Sequence, residues 1–275
     1  MDSNPGQTPD SFFPTAAGYF SVGAEEAVAG NAAYWSESAR EYLSDYGEFL
    51  GDTQFRWCPE GLLESEAELL GPLTRLRQER LLEVGAGAGQ CSRWLARQGV
   101  NVTATDLAPG MIAEAERLNA ATGIALPLLV ADARALPFDD GSFDQVFTAF
   151  GAIPFVKDAA EVHHEVHRVL RPGGWWTFAT THPIRWAFPD DPTSLTANRS
   201  YFDRTPYAER FPGGTYAEFH RTIGDHVAEV SSAGFVITAM IEPEWSAGNR
   251  HTWGGWGPER GRYLPGTLII QARRG

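Results

Sequence analysis

Apolar residues recur along this chain in two alternating rhythms. Leu81-Leu82 with Val84, Val100 to Thr105, Ala125 to Ala131, Phe143 to Phe150 and Trp175 to Thr181 are dense in aliphatic and aromatic residues, and they read as buried strands. Between them the spacing turns helical. Cys91, Trp94 and Leu95 form one apolar face that stops at Gly99, and a helix is expected from Pro109, at a first-turn position, to about Ala121. Ala159, Val162, Val166 and Val169 mark a further amphipathic helix, ended by Arg171-Pro172-Gly173-Gly174. Strands alternating with helices at this interval predict a parallel sheet covered on both faces. The alternation resumes later, with a helix near Asp225–Ser232 and strands at Phe235–Ile241 and Thr267–Ala272.

Other segments break the rhythm. Residues 1 to about 30 read as irregular, with Pro5, Pro9 and Pro14. From Ala32 to Gly47, Trp35, Ala39, Tyr42, Leu43 and Tyr46 share one helical face. A second helix is expected from Glu60 to Leu76, interrupted at Gly71-Pro72. Residues 183 to 216 hold five prolines and scattered aromatics and read as an inserted cap. The expected division is therefore a helical lid over 1–76, an α/β core over 77–182, a capping insertion over 183–216 and the rest of the core over 217–275.

Composition narrows the partners. A formal charge of −13 over 275 residues argues against a nucleic-acid partner, which needs a basic face to displace counterions. No stretch is long and apolar enough to span a bilayer, and Met1 to Asp10 lacks the basic-then-apolar pattern of a secretion signal. Cys58 and Cys91 are too few for a disulfide framework and are compatible with a reducing cytoplasm. Nine Trp, sixteen Phe and eight Tyr exceed what a routine core needs.

The chemistry centres on Glu83-Val84-Gly85-Ala86-Gly87-Ala88-Gly89, a strand running into a glycine turn and then a helix. Such a turn lets a ligand lie on bare backbone and aims amide N–H groups at it. A dinucleotide fold wants Gly-x-Gly-x-x-Gly or Ala; here the third glycine comes one position early. No Lys-Ser or Lys-Thr follows, so this is no phosphate-gripping P-loop. Glu83, Asp106 and Asp132 each close a predicted strand, where ligands of open parallel sheets bind. Asp106 is placed to accept both hydroxyls of a ribose, and Asp132, with Ala133 after it, to accept from an adenine amine. Glu83 suits an ammonium and would repel a pyrophosphate. The ligand these residues describe is an adenosine with a cationic tail.

The segment from Leu81 to Thr181 resembles class I S-adenosylmethionine-dependent methyltransferases of the small-molecule group. The matching pieces, in order, are the glycine turn, Thr105-Asp106-Leu107-Ala108-Pro109-Gly110-Met111, Ala131-Asp132-Ala133 with Leu136-Pro137-Phe138, Phe143-Asp144-Gln145-Val146, and Val169-Leu170-Arg171-Pro172-Gly173-Gly174. The resemblance implies a Rossmann-like, mostly parallel seven-stranded sheet of order 3-2-1-4-5-7-6, with S-adenosylmethionine as methyl donor and S-adenosylhomocysteine as product. It implies that Gly85, Gly87 and Gly89 touch the methionine part, with Glu83 behind them. Asp106 would bind ribose, Leu107 and Met111 would sandwich the adenine, and Asp132 and Ala133 would hold its edge. Phe150 would face the sulfur.

The substrate pocket is expected from parts outside that core: Tyr19, Phe20, Trp35 and Tyr42, then Trp57, then the insertion, where Arg185 is placed to orient an acidic group or to pair with Asp190 or Asp191. The acceptor this describes is a small, largely apolar aromatic or terpenoid specialised metabolite, methylated at oxygen or carbon. His182 and Tyr201 are the candidate bases. The run His163-His164-Glu165-Val166-His167 lacks the His-Glu-x-x-His spacing of a zinc helix, so no metal is expected. The amino-terminal aromatics leave open closure over their own site or over that of a neighbour in a homo-oligomer. The competing readings are a nicotinamide-dependent oxidoreductase and a non-catalytic adenosylmethionine-binding protein.

Overall fold

The structure is a computed structural model that describes residues 14–275; the first thirteen residues of the expected irregular start, and with them the reading on a secretion signal, lie outside the described residues. The rest of that segment, up to residue 30, is not irregular but forms a strand and the first turns of a helix. The chain opens with a short strand β1 (Ala16–Tyr19) and a 27-residue helix α1 (Ala24–Leu50), longer at both ends than the aromatic stripe suggested. Glu25 and Glu26 in its first turn suit the positive end of the helix dipole, and Gly51 in the left-handed region ends it.

Glu60 to Leu76 does not form the expected helix. Two single turns stand there instead, α2 (Glu64–Ala67) and α3 (Leu73–Leu76). The buried Glu64 carboxylate accepts from the backbone N–H groups of Leu69 and Leu70 at 2.9 and 2.8 Å and from Trp57 Nε1 at 2.8 Å. These bonds fold the segment around one side chain, and Gly71-Pro72 finishes the interruption.

The core then alternates as expected: β2 (Arg80–Val84), α4 (Gln90–Arg97), β3 (Asn101–Asp106), α5 (Pro109–Thr122), β4 (Leu128–Val130), β5 (Phe143–Ala149), α6 (Ala159–Val169) and β6 (Leu170–Thr181). β4 is shorter than the apolar run that announced it, and β6 starts five residues early, because its pairing with β5 passes through the Pro172–Gly174 irregularity. The expected insertion contains a hairpin, β7 (Tyr207–Phe211) and β8 (Gly214–Glu218), whose second strand runs past residue 216. The chain ends with α7 (Ile223–Ser232), β9 (Phe235–Ile241), a turn α8 (Pro258–Gly261) and β10 (Thr267–Arg274).

Two sheets result. The larger has the order β4-β3-β2-β5-β6-β10-β9, which is 3-2-1-4-5-7-6 counting from β2, with β10 antiparallel to both neighbours. Successive residues on its strands go to opposite faces. Leu82, Val146, Phe178 and Ile270 join the α6–α7 side, while Leu81, Phe147, Ala179 and Ile269 pack with Phe55, Trp57 and Leu95.

The smaller sheet, β1-β7-β8, carries α1 on one side. Gly30 allows the approach, since a Cβ there would lie 2.0 Å from the Thr215 carbonyl oxygen. Asn31, 2 % exposed, donates to the carbonyls of Phe155 and Ala217 and accepts from the Ala217 N–H. That side chain stitches α1 to β8 and to the loop after β5. α1 therefore lies across the carboxyl ends of the large sheet's strands, with the hairpin beyond it.

Candidate active site

The glycine turn after β2 sits at φ +65, +54 and +74° for Gly85, Gly87 and Gly89, a region costly to any L side chain. The three glycines serve different ends. A Cβ on Gly85 would meet the Ala152 backbone nitrogen at 2.7 Å, and one on Gly151 would meet the Gly85 carbonyl oxygen at 2.2 Å, so the loops after β2 and β5 are packed backbone on backbone. Gly89 caps α4 beneath the Leu126 side chain, away from the cavity. Gly87 has nothing within 4 Å of its would-be Cβ: it faces open space.

That space is a cavity of about 660 Å³ between the strand ends, α1, the hairpin and the segment around Trp253. At one end lie Gly85 and Gly87, with Asp106, Leu107 and Met111 from the end of β3 and the start of α5. Asp106 Oδ2 accepts from Gly87 N at 2.7 Å and Oδ1 from Ala108 N at 2.8 Å, and the Leu107 backbone N–H is a third donor to the same carboxylate. Burial pushes its pKa up, partly offset by these bonds. Met111 is 3 % exposed and shares its contacts with Ala39, Ala108, Trp35 and Tyr42 of the α1 interface. Asp132 and Ala133 line the cavity beside them; Asp132 is clasped by Arg134, which also reaches Glu25 of α1 at 3.0 Å. Phe150 takes φ +67° and stands edge-on to Trp253 with ring centroids 6.4 Å apart.

Glu83 lies behind this end, 2 % exposed, and does not line the cavity. Its carboxylate accepts from the backbone N–H and hydroxyl of Ser92 in the first turn of α4. Burial raises its pKa to about 7.

The cavity is aromatic toward its other end, although Trp35 and Tyr42 also pack against Met111, and Trp57 clusters with Ala86 of the glycine turn. Tyr19, Trp35, Tyr42 and Trp57 line the cavity, as does Arg185. Trp57 is fully buried and bonded to Glu64, so it acts mainly as core. Phe20 does not reach the cavity; it packs with the Val22, Ala208 and Phe219 cluster under the Arg210 guanidinium. Arg185 donates to Asp190 at 2.8 Å, the pairing the sequence left open. Burial alone would lower its pKa, but Glu218 and Asp190 more than offset it.

Both candidate bases fall outside the cavity. His182, 4 % exposed, accepts from Ile184 N through Nδ1 and spans Nε2 to Glu242 Oε1 at 2.9 Å. With Nδ1 an acceptor, Nε2 carries the proton and donates, so neither nitrogen is available to a substrate. The Tyr201 hydroxyl accepts from Ile223 N at 2.9 Å at the start of α7. Both residues fix chain turns. Among the described residues no group of three His, Cys, Asp or Glu converges to hold a metal; within the His163–His167 run, His163 is buried and accepts from Trp176 Nε1 at 3.1 Å.

The structure adds wall residues that the sequence reading missed. Tyr46 and Trp253 lie tilted against one another at 4.2 Å, Tyr34 and Tyr216 likewise at 4.4 Å, and Trp35 meets Phe155 edge-on at 5.4 Å. Tyr207, Glu209, Tyr216 and Glu218 come from one face of the hairpin. Their signal was present: residues 207–218 alternate around Gly213-Gly214, the pattern of a two-stranded hairpin.

Comparison with known proteins agrees with this geometry. A family model described as a methyltransferase domain matches residues 82–178. The demethylmenaquinone methyltransferase of Thermus thermophilus is 42 % identical over 98 residues, 35 % of this chain and 44 % of that protein. An uncharacterized protein of Mycobacterium tuberculosis is 35 % identical over 137 residues, 44 % of this chain and 50 % of its own length. The chain spans about half the length of the curated relatives it matches. The crystal structure of an S-adenosylmethionine-dependent methyltransferase from Mesorhizobium loti, 27 % identical, aligns over 79 % of this chain and all of that one with a TM-score of 0.62. Residues 82–178 therefore form a methyltransferase domain, on a fold shared with solved class I S-adenosylmethionine-dependent methyltransferases. Among the described residues no helix is long and apolar enough to cross a membrane.

Proposed function

We propose that the cavity binds S-adenosylmethionine at its glycine end and methylates a small molecule held at its aromatic end. The observation that carries this is the meeting of Gly87 and Asp106 at one cavity wall. Backbone amides of the turn and of the loop after β3 fix the carboxylate, the carboxylate lines the cavity as the acceptor for ribose hydroxyls, and open space lies above a residue with no side chain. In this reading Leu107 and Met111 hold the adenine faces, and Asp132 with Ala133 its edge. Gly87 leaves room for the amino-acid part, and Gly85 lines the same wall with its backbone. Glu83 supports the turn through α4 and supplies negative charge behind it. When bound, the donor supplies a methyl group already activated by its sulfonium.

Methyl transfer is an in-line displacement, so the protein's main task is to hold acceptor, methyl and sulfur in a row. Phe150 and the α1 aromatics supply rigid walls for that purpose, and their negative ring faces favour a sulfonium nearby. The acceptor proposed is a largely apolar aromatic or terpenoid metabolite, methylated at oxygen or carbon. His182 and Tyr201 take no part in proton transfer. The lid over 1–76 and the insertion over 183–216 act as one acceptor-binding unit, because β1 pairs with β7 and α1 packs on β8. Calorimetry tests the reading: S-adenosylhomocysteine should bind the unaltered chain, and Asp106→Ala should abolish binding while the protein stays folded. Binding of NADH in its place, or undiminished binding by the variant, would overturn the proposal.

A further inference from the structure

The aromatic end of the cavity carries more negative charge than the proposed reaction needs, and its distribution points to the acceptor. Glu209 and Glu218 leave the hairpin on the same face, diagonal to one another, with Tyr216 opposite Glu209 and Tyr207 opposite Glu218. Each carboxylate is oriented by a tyrosine on its own strand. The Tyr207 hydroxyl donates to Glu209 Oε1 at 2.5 Å and the Tyr216 hydroxyl to Glu218 Oε1 at 2.7 Å. The second oxygen of each carboxylate has no hydrogen-bond partner among the described residues, and neither glutamate is ion-paired there.

Residues 1–13, outside the described residues, contain no lysine or arginine. Both glutamates are partly buried and line the cavity, with Asp190, Glu41 and Asp45 nearer its rim. Two lining cations face these five carboxylates. Arg185 is bonded to Asp190 and feels the charge of Glu218 without a hydrogen bond to it, and Arg56 is held over the Phe49 ring at 4.6 Å with its Nε donating to the Phe49 carbonyl.

The rings between these carboxylates and the cofactor end are electron-rich. Trp35 meets Phe155 at 5.4 Å and Tyr216 at 6.2 Å, and Tyr34 lies on Tyr216. Their faces attract cations, and a low-dielectric cleft lined by one sign of charge concentrates the opposite sign. A neutral acceptor would leave the second oxygens of two partly buried carboxylates without a hydrogen bond, with only the longer-range charge of Arg185 to offset Glu218, whereas a protonated nitrogen satisfies those oxygens directly.

We infer that the methyl acceptor is an organic cation, a small aromatic or polycyclic molecule whose protonated amine docks between Glu209 and Glu218 while its apolar body lies against Trp35 and Phe155. This inference rests on the methyltransferase reading of the same cavity. It assigns the amine to recognition and leaves the methylated atom elsewhere on the molecule.

Two charge-matched probe sets test it on the full chain saturated with S-adenosylhomocysteine: tryptamine, tryptophol and indole-3-acetate, and 1-naphthylmethylamine, 1-naphthalenemethanol and 1-naphthoate. In at least one set the amine should bind roughly tenfold or more tighter than the alcohol, with the carboxylate excluded. The E209Q/E218Q variant should remove that preference while retaining its affinity for S-adenosylhomocysteine. The single variants E209Q and E218Q should each remove part of it, which keeps the test valid if the double variant fails to fold. The inference is overturned if alcohol or carboxylate binds as well as the amine in both sets, if neither amine binds at millimolar concentration, or if the preference survives in the folded variants. Failure of the unaltered protein to bind S-adenosylhomocysteine instead overturns the methyltransferase reading, and the amine preference is then measured on the free protein.

Discussion

Replacing Gly85 or Gly87 with alanine separates folding from ligand binding within one turn. Both residues sit in the left-handed region, where an L side chain costs ~1–2 kcal/mol. At Gly87 that strain is the whole cost, because the added methyl meets no atom within 4 Å. At Gly85 the methyl would lie 2.7 Å from the Ala152 backbone nitrogen, and Ala152 is itself held at φ +51° with little freedom to retreat. Relieving that overlap adds ~1–3 kcal/mol, so G85A should lose about 2–5 kcal/mol in all, more than G87A. Urea unfolding followed by tryptophan fluorescence measures both variants. Calorimetry with S-adenosylhomocysteine measures the second effect: G87A stays folded but its methyl occupies ligand space, and affinity should fall at least tenfold, roughly 1.4 kcal/mol. Equal stability of the two variants would refute the backbone-on-backbone packing of the loops after β2 and β5. A G87A protein with undiminished affinity would refute the placement of the ligand over that residue.

Three further outcomes are expected. Burial raises the Glu83 pKa from 4.5 to about 7, so the folded state binds the proton more tightly than the unfolded chain, and this group's contribution to stability falls as pH rises between those values, by on the order of 3 kcal/mol; E83Q should gain stability relative to the unaltered protein across that window, and parallel stability curves would refute it. His182→Ala should lose about 1 kcal/mol through its cap on Ile184, with the affinity for S-adenosylhomocysteine unchanged between pH 6 and 8 in calorimetry; a lost pH dependence of binding would return the imidazole to the site. In α1, Gly47→Ala meets no atom within 4 Å and should add ~0.5–1 kcal/mol, whereas Gly30→Ala collides with the Thr215 carbonyl and should destabilise the lid, seen as faster amide exchange over α1 and β8; similar effects of the two would contradict the packing described.

The sheet was legible in the sequence because its signals are local. The strands from β2 to β6 carry apolar runs, and the acids at 83, 106 and 132 sit at or beside strand ends because there the backbone N–H groups of the following loops and helix starts can meet their carboxylates. The glycine turn was legible for the same reason, although the division of labour among Gly85, Gly87 and Gly89 depends on what faces each of them. Segments organised by distant partners were not. Glu60 to Leu76 has helix-compatible composition, yet one buried carboxylate at Glu64 captures its backbone donors. His182 stood at the right place along the chain, but its ring is turned to Glu242, sixty residues on. The hairpin carrying Glu209 and Glu218 shows its alternation plainly, but the prolines around it suggested irregular structure, and only its contact with α1 brings those side chains to the cavity.

One helix touches everything the cavity holds. Ser36 and Arg40 of α1 bind Gly110 and Glu114 beside the nucleoside end, while Asn31 and Glu26 of the same helix grip the hairpin at the acceptor end. A rigid rod of this kind cannot tilt at one end without moving at the other. If donor and acceptor occupy the two halves as proposed, any shift of the helix caused by one reaches the other, and thermodynamic reciprocity makes the two dissociation constants change by the same factor.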